Sequence, residues 1–261
     1  MVKRFGYSLW IFILFLSLRV SGQLVQISGG IFKMGCNSCE NDEKPEHEVT
    51  VSDFKMDSHE ITDLQYDSCV QSGRCSPAHY EDSLCMIWDG KSFKKLIIQK
   101  SLRKPGFPVT CVTWHQAQAY CRSRGMKLPT EAQWEYAARG GAGNLYSWGN
   151  EPPTTDKCSY LESGGIQTVG KYKPNSFGLY DMTGNVWEWT ADYYESEYYK
   201  YSESSNPSGP AAGLYRVIRG GGWYSTSAQL GASNRLWFSP DVPEASIGFR
   251  CVKSSPSATN R

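Results

Sequence analysis

Residues 169–190, VGKYKPNSFGLYDMTGNVWEWT, combine turn-forming residues, acids and tryptophans in one short stretch. Gly178 and Gly184 indicate tight turns, because glycine adopts backbone conformations that other residues avoid. Asp181 and Glu188 place a carboxylate on either side of a run of backbone carbonyls. Calcium accepts both kinds of oxygen ligand. The stretch therefore predicts an ordered loop with the capacity to hold a hard cation.

This stretch resembles the signature of the formylglycine-generating enzyme (sulfatase-modifying factor) family. Further blocks occur in the order of that family and span most of the chain: GGIFKMG at 29–35, LPTEAQWEYAARGG at 128–141, YSWGN at 146–150, RVIRGGGW at 216–223 and IGFR at 247–250. The resemblance implies an α+β domain of the formylglycine-generating-enzyme type. Its fold is C-type-lectin-like and has little regular secondary structure.

The composition favours one globular domain and gives no indication of a nucleic-acid partner. The chain has 261 residues and a formal net charge of +1, with acids and bases interspersed. A chain of this length can bury a sizeable core, and no repeat or long linker divides it. No stripe of basic residues is present, so nucleic acid is not an expected partner. Oligomeric state leaves no signal in the sequence.

The first residues have the pattern of a secretory signal peptide. Lys3 and Arg4 precede an apolar run at 9–18, and small residues follow up to Gly22. We predict a signal peptide at 1–22, a single domain at 23–253 and a disordered tail at 254–261. An uncleaved anchor is the alternative for the first segment, although its apolar run is short for a bilayer. The expected location is secreted, periplasmic or at the cell surface, with no transmembrane span after cleavage.

Nine cysteines follow the predicted signal peptide, which indicates a disulfide framework in an oxidising compartment. Cys36-x-x-Cys39 fits a redox pair, half a zinc site or a local disulfide, and we favour the disulfide. Four further cysteines could pair among themselves in three ways: Cys69, Cys75, Cys85 and Cys111. The family resemblance implies a disulfide between Cys121 and Cys251. Since nine is odd, at least one cysteine is left over.

Local patterns predict three helices and a strand. A threonine followed three residues later by glutamine occurs at Thr62, Thr113 and Thr130, and this spacing is typical of a helix start. The helices are expected to end near three glycines, Gly73, Gly125 and Gly140. Alternating apolar residues at 48–56 predict one strand with a bulge at Asp53.

The resemblance implies a structural calcium site on four residues: Asp181, Gly184, Val186 and Glu188. In the family an acidic or amide side chain, two backbone carbonyls and a glutamate provide such a site, and all four positions here carry suitable groups. The alternative is that both acids accept hydrogen bonds from turn N–H groups. No chemistry is expected of this calcium.

The same resemblance puts the family's oxidase activity in doubt. Family members that convert cysteine to formylglycine bind Cu(I) between two cysteines after the RGGxW block, and thiolates are the ligands that select Cu(I). The corresponding positions here are Ser225 and Leu230. No cysteine, histidine or methionine occurs between Trp223 and Phe249. Copper is therefore not expected at this position, and no residue is assigned a catalytic role.

The window 224–246 predicts a ligand-binding face, because aromatic residues among small polar ones are typical of binding surfaces. It also resembles the variable region of lectin-fold proteins diversified by retroelements, with Trp223, ASNR at 232–235, PD at 240–241 and IGFR as the frame. The expected contact residues are Tyr224, Ser225, Thr226, Ser227, Leu230, Gly231, Leu236, Trp237, Phe238 and Ser239. The alternative is that Leu236, Trp237 and Phe238 belong to the core.

These observations favour an exported binding or display protein with a protein or other extracellular ligand. Two alternative functions remain consistent with the sequence. One is a copper-dependent formylglycine-generating oxidase that acts on a sulfatase cysteine through relocated ligands. The other is a non-catalytic accessory factor for exported proteins.

Overall fold

The computed structural model describes residues 23–95 and 102–254. The predicted signal peptide at 1–22 and residues 255–261 of the predicted tail lie outside them. Ser254, expected to begin the tail, is the last residue of a strand, so the fold extends one residue beyond the predicted boundary. In the described ranges, no helix has both the length and the apolar character needed to cross a membrane.

The three predicted helices begin where their threonines indicate. They are α1 (Asp63–Gln71), α2 (Trp114–Ser123) and α3 (Glu131–Ala138). In each, the preceding threonine accepts a hydrogen bond from the backbone N–H of the glutamine three residues on. The glutamine side chain in turn accepts one from the threonine N–H. This reciprocal arrangement satisfies N–H groups that the first turn of a helix leaves free.

The strands are short and form four small sheets. In chain order they are β1 (Leu24–Ile27), β2 (Gly30–Met34), β3 (His47–Val51), β4 (Phe54–Asp57), β5 (Met86–Trp88), β6 (Phe93–Lys95), β7 (Trp187–Tyr193), β8 (Arg216–Arg219), β9 (Arg235–Phe238), β10 (Ile247–Gly248) and β11 (Val252–Ser254). The sheets have the orders β1-β4-β11, β10-β7-β8-β9, β2-β3 and β5-β6. Among these strands of the described residues, β10 and β7 form the one parallel pair. The fold is α+β with little regular structure, as predicted.

The single strand predicted at 48–56 is wrong. The segment forms β3 and β4, which belong to different sheets and are separated at Ser52 and Asp53. The Asp53 side chain accepts a hydrogen bond from Gly29 N–H at 2.7 Å, which holds the chain where it changes direction. The alternating apolar side chains are buried as expected, but the break divides them between two sheets.

A buried ionic network joins α3 to the sheet that carries the C-terminal motifs. Every residue of α3 is buried, including Glu131 and Glu135. Arg219 of β8 forms ion pairs with both acids, and Arg235 of β9 donates two hydrogen bonds of 2.8 Å to Glu131. Buried charges are stable only when they are paired and hydrogen-bonded, so the network determines how β8 and β9 lie against α3.

Four disulfides staple the chain, and the predicted Cys121–Cys251 bridge is confirmed. The bridge between Cys36 and Cys39 is confirmed as well. The other four cysteines pair as Cys69–Cys75 and Cys85–Cys111, which selects one of the three possible pairings. Cys158 is the unpaired cysteine, and it is buried.

Candidate functional site

The signature loop at 181–186 follows a path that requires glycine at one position. Gly184 has a φ of 84°, and a Cβ added there would lie 2.3 Å from the carbonyl oxygen of Ser159. Any other side chain would both strain the backbone and collide with that carbonyl. The Gly184 N–H donates to the carbonyl of Gly220 at 2.8 Å, which attaches the loop to the segment after β8.

Two carboxyl groups in this region each have an oxygen without a partner. Asp181 accepts a hydrogen bond from Gly170 N–H through Oδ2, while its Oδ1 is buried and unpartnered. Glu60 accepts one from the Asn185 side chain through Oε1, while its Oε2 is also buried and unpartnered. Burial raises the pKa of Glu60 well above its usual value, and the charge of Asp181 adds to this. Sequence reasoning did not identify Glu60, which is far from the loop along the chain.

Both carboxylate oxygens of Glu188 accept hydrogen bonds from other side chains. Arg250 donates to it from Nε and Nη2 at 2.7–3.0 Å, and Trp134 Nε1 donates at 3.0 Å. Three carboxyl groups, those of Glu60, Asp181 and Glu188, therefore interact with the single guanidinium of Arg250.

Only part of the predicted donor set at this loop is free to bind a divalent cation, because both Glu188 oxygens already accept hydrogen bonds from Arg250 or Trp134. Two buried carboxyl oxygens lack donors, and burying such atoms without a partner costs free energy. In the described turns and loops, no backbone N–H donates a hydrogen bond to the carbonyl of Gly184 or of Val186. Carboxylates and free carbonyls together are a typical calcium donor set, and a divalent cation would balance the excess of acidic groups.

The predicted ligand-binding residues divide into exposed and buried members. The alternative that Leu236, Trp237 and Phe238 are core residues is wrong for the first two, which are 37% and 40% exposed. Phe238 is half-buried and packs against the main hydrophobic cluster. Thr226 and Ser227 are exposed as well. The partly exposed members of the predicted set are Tyr224, Gly231, Phe238 and Ser239.

Ser225 and Leu230 are fully buried, in contrast to their predicted place on the binding face. Both side chains make contacts within the fold. Ser225 Oγ accepts a hydrogen bond from Gly222 N–H at 2.9 Å. Leu230 packs in a small apolar cluster with Cys158 and Tyr160. The exposed part of the window is therefore smaller than the sequence indicated.

Strand β9 separates the remaining residues onto two sides. Successive side chains of a strand point in opposite directions. Leu236 lines a cavity, and the ring of Phe238 lies 5.4 Å from that of Phe93. Trp237 instead contacts Tyr215, with ring centroids 4.2 Å apart. The predicted face is therefore two surfaces, one on each side of the strand.

The cavity beside Leu236 has a volume of about 670 Å³ and a mostly apolar wall. It is lined by Trp88, Asp89, Gly90, Phe93, Leu161, Trp223, Tyr224, Thr226, Gln229 and Leu236. The hairpin of β5 and β6 forms one wall, a contribution that sequence reasoning missed. The available signal was Asp89-Gly90 within the four residues that separate Trp88 from Phe93, because Asp-Gly is typical of hairpin turns.

Polar groups with unmet hydrogen-bonding capacity lie near this cavity. Trp223 belongs to its lining, and the Nε1 of this residue is buried without a partner. Glu244 accepts hydrogen bonds from the N–H and Oγ of Ser246 through Oε2, while its Oε1 has no partner. Burial raises the pKa of Glu244 to about 7. Polar atoms of this kind provide specificity in an otherwise apolar site.

Cys158 is the one free thiol among the described residues, so it is the remaining candidate for a copper-binding thiolate. Its surroundings favour the protonated form. Burial raises its pKa to about 12, and the charge of Asp181 adds to the effect. It packs against Leu230, one of the two positions where the family's copper ligands would fall. All other cysteines are in disulfides. A pair of thiolates is therefore not available at this position.

The fold and the ordered motifs define the class as formylglycine-generating-type domains with a C-type-lectin-like fold. The family model described as the sulfatase-modifying factor enzyme 1-like domain matches residues 18–255, and the chain belongs to this family.

Relatives with different names match this chain over most of its length. The chain is 35% identical to the serine/threonine-protein kinase pkn1 of Chlamydia pneumoniae over 89% of its own length, but spans only 38% of that protein. It is 31% identical to the formylglycine-generating enzyme of Mus musculus, covering 88% of this chain and 74% of that protein. It is 32% identical to the inactive C-alpha-formylglycine-generating enzyme 2 of Bos taurus, covering 89% and 88%.

Two solved structures share the fold. PvdO from Pseudomonas aeruginosa superposes with a TM-score of 0.75 at 24% identity, covering 89% of this chain and 94% of that chain. Treponema denticola variable protein 1 superposes with a TM-score of 0.72 at 24% identity, covering 89% and 95%.

Proposed function

We propose that this chain is an exported ligand-binding member of the sulfatase-modifying factor family that lacks the family's copper-dependent oxidase activity. The observation that carries the proposal is the environment of the two copper-ligand positions. Ser225 and Leu230 are buried and serve the fold, and the nearby Cys158 is a protonated thiol. Because Cu(I) binding in this family needs a thiolate pair, the chain is proposed to bind without oxidising.

The ligand is proposed to enter the apolar cavity between Phe93 and Leu236. Aromatic rings dominate its wall, so an apolar or aromatic group of the ligand would be buried there. Trp223 Nε1 provides a free donor beside it. A partner protein or an exported small molecule could present such a group.

Calcium is proposed as a structural ion in the loop that contains Asp181 and Gly184. The predicted ligands are Asp181 and Glu188 through side chains, and Gly184 and Val186 through carbonyls. Glu188 is already hydrogen-bonded to Arg250 and Trp134, so Asp181 and the two carbonyls are the groups free to hold the ion. The unpartnered oxygens of Asp181 and Glu60 support the proposal. When bound, the ion would balance the negative charge of the acids and make the loop more rigid.

Diversification of the exposed window is a further part of the proposal. Most of the frame residues are buried or half-buried, although Asp241 is exposed, whereas Thr226, Ser227, Leu236 and Trp237 of the contact set are exposed. Exposed residues can vary at little cost to stability when a buried frame carries the fold. Sequencing sibling copies of the gene tests this, because the proposal requires differences confined to the exposed set.

Export is supported by the four disulfides, which are compatible with an extracellular or periplasmic location. Fractionation of expressing cells, followed by N-terminal sequencing of the mature protein, tests both the location and cleavage near Gly22.

The decisive experiment is mass spectrometry of a sulfatase-type peptide, with cysteine followed two residues on by proline, after incubation with the purified protein, Cu(I), reductant and oxygen. We expect an unchanged thiol, beside conversion by an active family enzyme. Conversion to the aldehyde would overturn the proposal in favour of the oxidase alternative.

Ligand screening should follow with variants of the cavity. Phe93→Ala and Leu236→Lys are expected to abolish binding of any ligand that enters it. Leu214→Ala serves as the matched control, because Leu214 is exposed and lies outside the cavity lining. A ligand equally sensitive to the control and the cavity variants would bind elsewhere. Binding of exported proteins without modification would instead favour the accessory-factor alternative.

A further inference from the structure

A second cavity, of about 570 Å³, lies under the tyrosine-rich segment that follows β7. Its wall contains Tyr193, Tyr198, Tyr201, Glu203, Ser208, Gly209, Pro210, Ala211 and Arg216. None of these residues lines the apolar cavity beside Leu236. The two cavities are therefore separate, and a result on one does not decide the other.

Arg216 differs from the other buried arginines of the described residues. Arg139, Arg219, Arg235 and Arg250 each form an ion pair with a glutamate. Arg216 is only 9% exposed, yet no carboxylate lies within salt-bridge distance in the described part of the chain. A buried cation without a counter-ion is costly, and such a group is typical of a site that receives an anion.

Two aromatic rings contact the Arg216 guanidinium at short distance. Its Cζ lies 3.4 Å from the ring centroid of Tyr193 and 3.8 Å from that of Trp114. Nη1 donates to the carbonyl of Ala191 at 2.6 Å, and Nε is buried without a partner. A guanidinium donates its hydrogen bonds in its own plane, so contact with these rings does not replace a partner at its edge. Edge-on donation is the geometry that matches a planar carboxylate.

Asp192 is the acid whose charge acts on Arg216, and burial weakens that charge. Burial raises the pKa of Asp192 to about 8, and the charge of Glu131 adds to this, so the side chain is mostly protonated at neutral pH. Gly209 packs closely against Asp192, because a Cβ added at Gly209 would lie 2.8 Å from the Asp192 Cβ. This close approach leaves no space for a side chain between Gly209 and Asp192, and the partly protonated Asp192 compensates the charge of Arg216 only in part. Glu203 also lines the cavity, but its side chain is exposed to solvent.

We propose that Arg216 and the tyrosine wall form a binding subsite for the carboxylate group of a small organic acid. The guanidinium edge donates to the carboxylate, and the rings of Tyr193, Tyr198 and Tyr201 contact the body of the ligand. Glu203 opposes a second negative charge, so the subsite selects monoanions over dianions. The ligand body is either an aromatic ring or a sugar ring, and both share the carboxylate chemistry.

Isothermal titration of the intact protein with benzoate and with benzamide tests the proposal, because the two probes differ chiefly in charge. Glucuronate and glucose provide the corresponding pair for a sugar ring, and inorganic phosphate tests the dianion. We expect at least one carboxylate to bind, with its neutral counterpart and phosphate weaker by roughly tenfold or more. Equal binding of the charged and neutral probes, or no binding of either carboxylate, overturns the proposal.

Two variants separate the subsite from a general effect on folding. Arg216→Lys keeps the charge but not the planar donor edge, and we expect carboxylate binding to fall by roughly tenfold or more. Glu203→Gln changes an exposed side chain, and we expect binding to tighten by about two- to threefold in low salt. Circular dichroism verifies that both variants are folded. Unchanged binding in the folded Arg216→Lys variant, or weaker binding in Glu203→Gln, contradicts the proposal.

Discussion

Arg250 and Glu188 form a fully buried ion pair, with Arg250 Nη2 2.7 Å from Glu188 Oε1 and Nε 2.8 Å from Oε2. The pair joins the GFR block near the end of the domain to the GNVWEW block of the signature. Arg250 Nη2 also donates to the carbonyl of Tyr180 at 3.0 Å, so the guanidinium holds the start of the signature loop. Two motifs that are distant in sequence therefore form one structural unit.

Replacing Arg250 with methionine should destabilise the domain by about 3–5 kcal/mol, because Glu188 would remain buried without its partner. Urea unfolding measures the change. Arg103→Met is the matched control, since Arg103 pairs with Asp67 at the surface and should contribute less than about 1 kcal/mol. Similar losses in the two variants would contradict the role assigned to the buried pair.

Calcium should raise the melting temperature of the wild-type protein relative to the protein in EGTA, since an ion that binds only the folded state stabilises it. In Asp181→Ala the response should disappear, because that variant loses the unpartnered Oδ1. Differential scanning fluorimetry provides the measurement, with Asp241→Ala as a control at an exposed acid. The calcium proposal fails if both variants respond as the wild type does.

The stability of the domain should decrease between about pH 4 and pH 8 through Glu244. Its pKa is raised from 4.5 to about 7, so the folded protein retains a proton that the unfolded chain releases. The stability that this contributes is complete below the unfolded pKa and is lost as the pH rises through the folded pKa, at roughly 3 kcal/mol in total.

Glu244→Gln should make this pH dependence less steep, because the amide does not titrate, while Asp63 and Asp192, with pKa values raised to about 7 and about 8, retain their part of it. Unfolding free energies measured by urea titration across the pH range provide the comparison, and Glu40→Gln is the control at an exposed glutamate. A pH slope in Glu244→Gln as steep as in the wild type would show that another group carries the effect.

Removing the Cys121–Cys251 bridge by double alanine substitution should cost about 5 kcal/mol, since the cysteines are 130 residues apart and the cost rises with loop length. The same change at Cys36 and Cys39, which are 3 residues apart, should cost roughly 2 kcal/mol. Guanidinium unfolding of the two double variants compares them. A larger loss at Cys36–Cys39 would be inconsistent with an effect that grows with loop length.

Local patterns were sufficient for the parts of the fold that depend on neighbouring residues. The capping threonines and glutamines predicted the helix starts because their hydrogen bonds are formed within three residues. The order of the motifs indicated the family, and the resemblance implied the Cys121–Cys251 bridge. The strand at 48–56 was predicted incorrectly because the division between two sheets depends on Gly29, which is distant in the sequence.

The sequence by itself therefore determined the family, the helix starts and one long-range disulfide, since local hydrogen bonds and ordered motifs carry that information. Only the tertiary structure placed Glu60 beside Asp181, separated Leu236 from Trp237 and buried Arg216 without a carboxylate partner. Burial and charge pairing depend on contacts between distant segments, and short-range patterns in one sequence do not specify them.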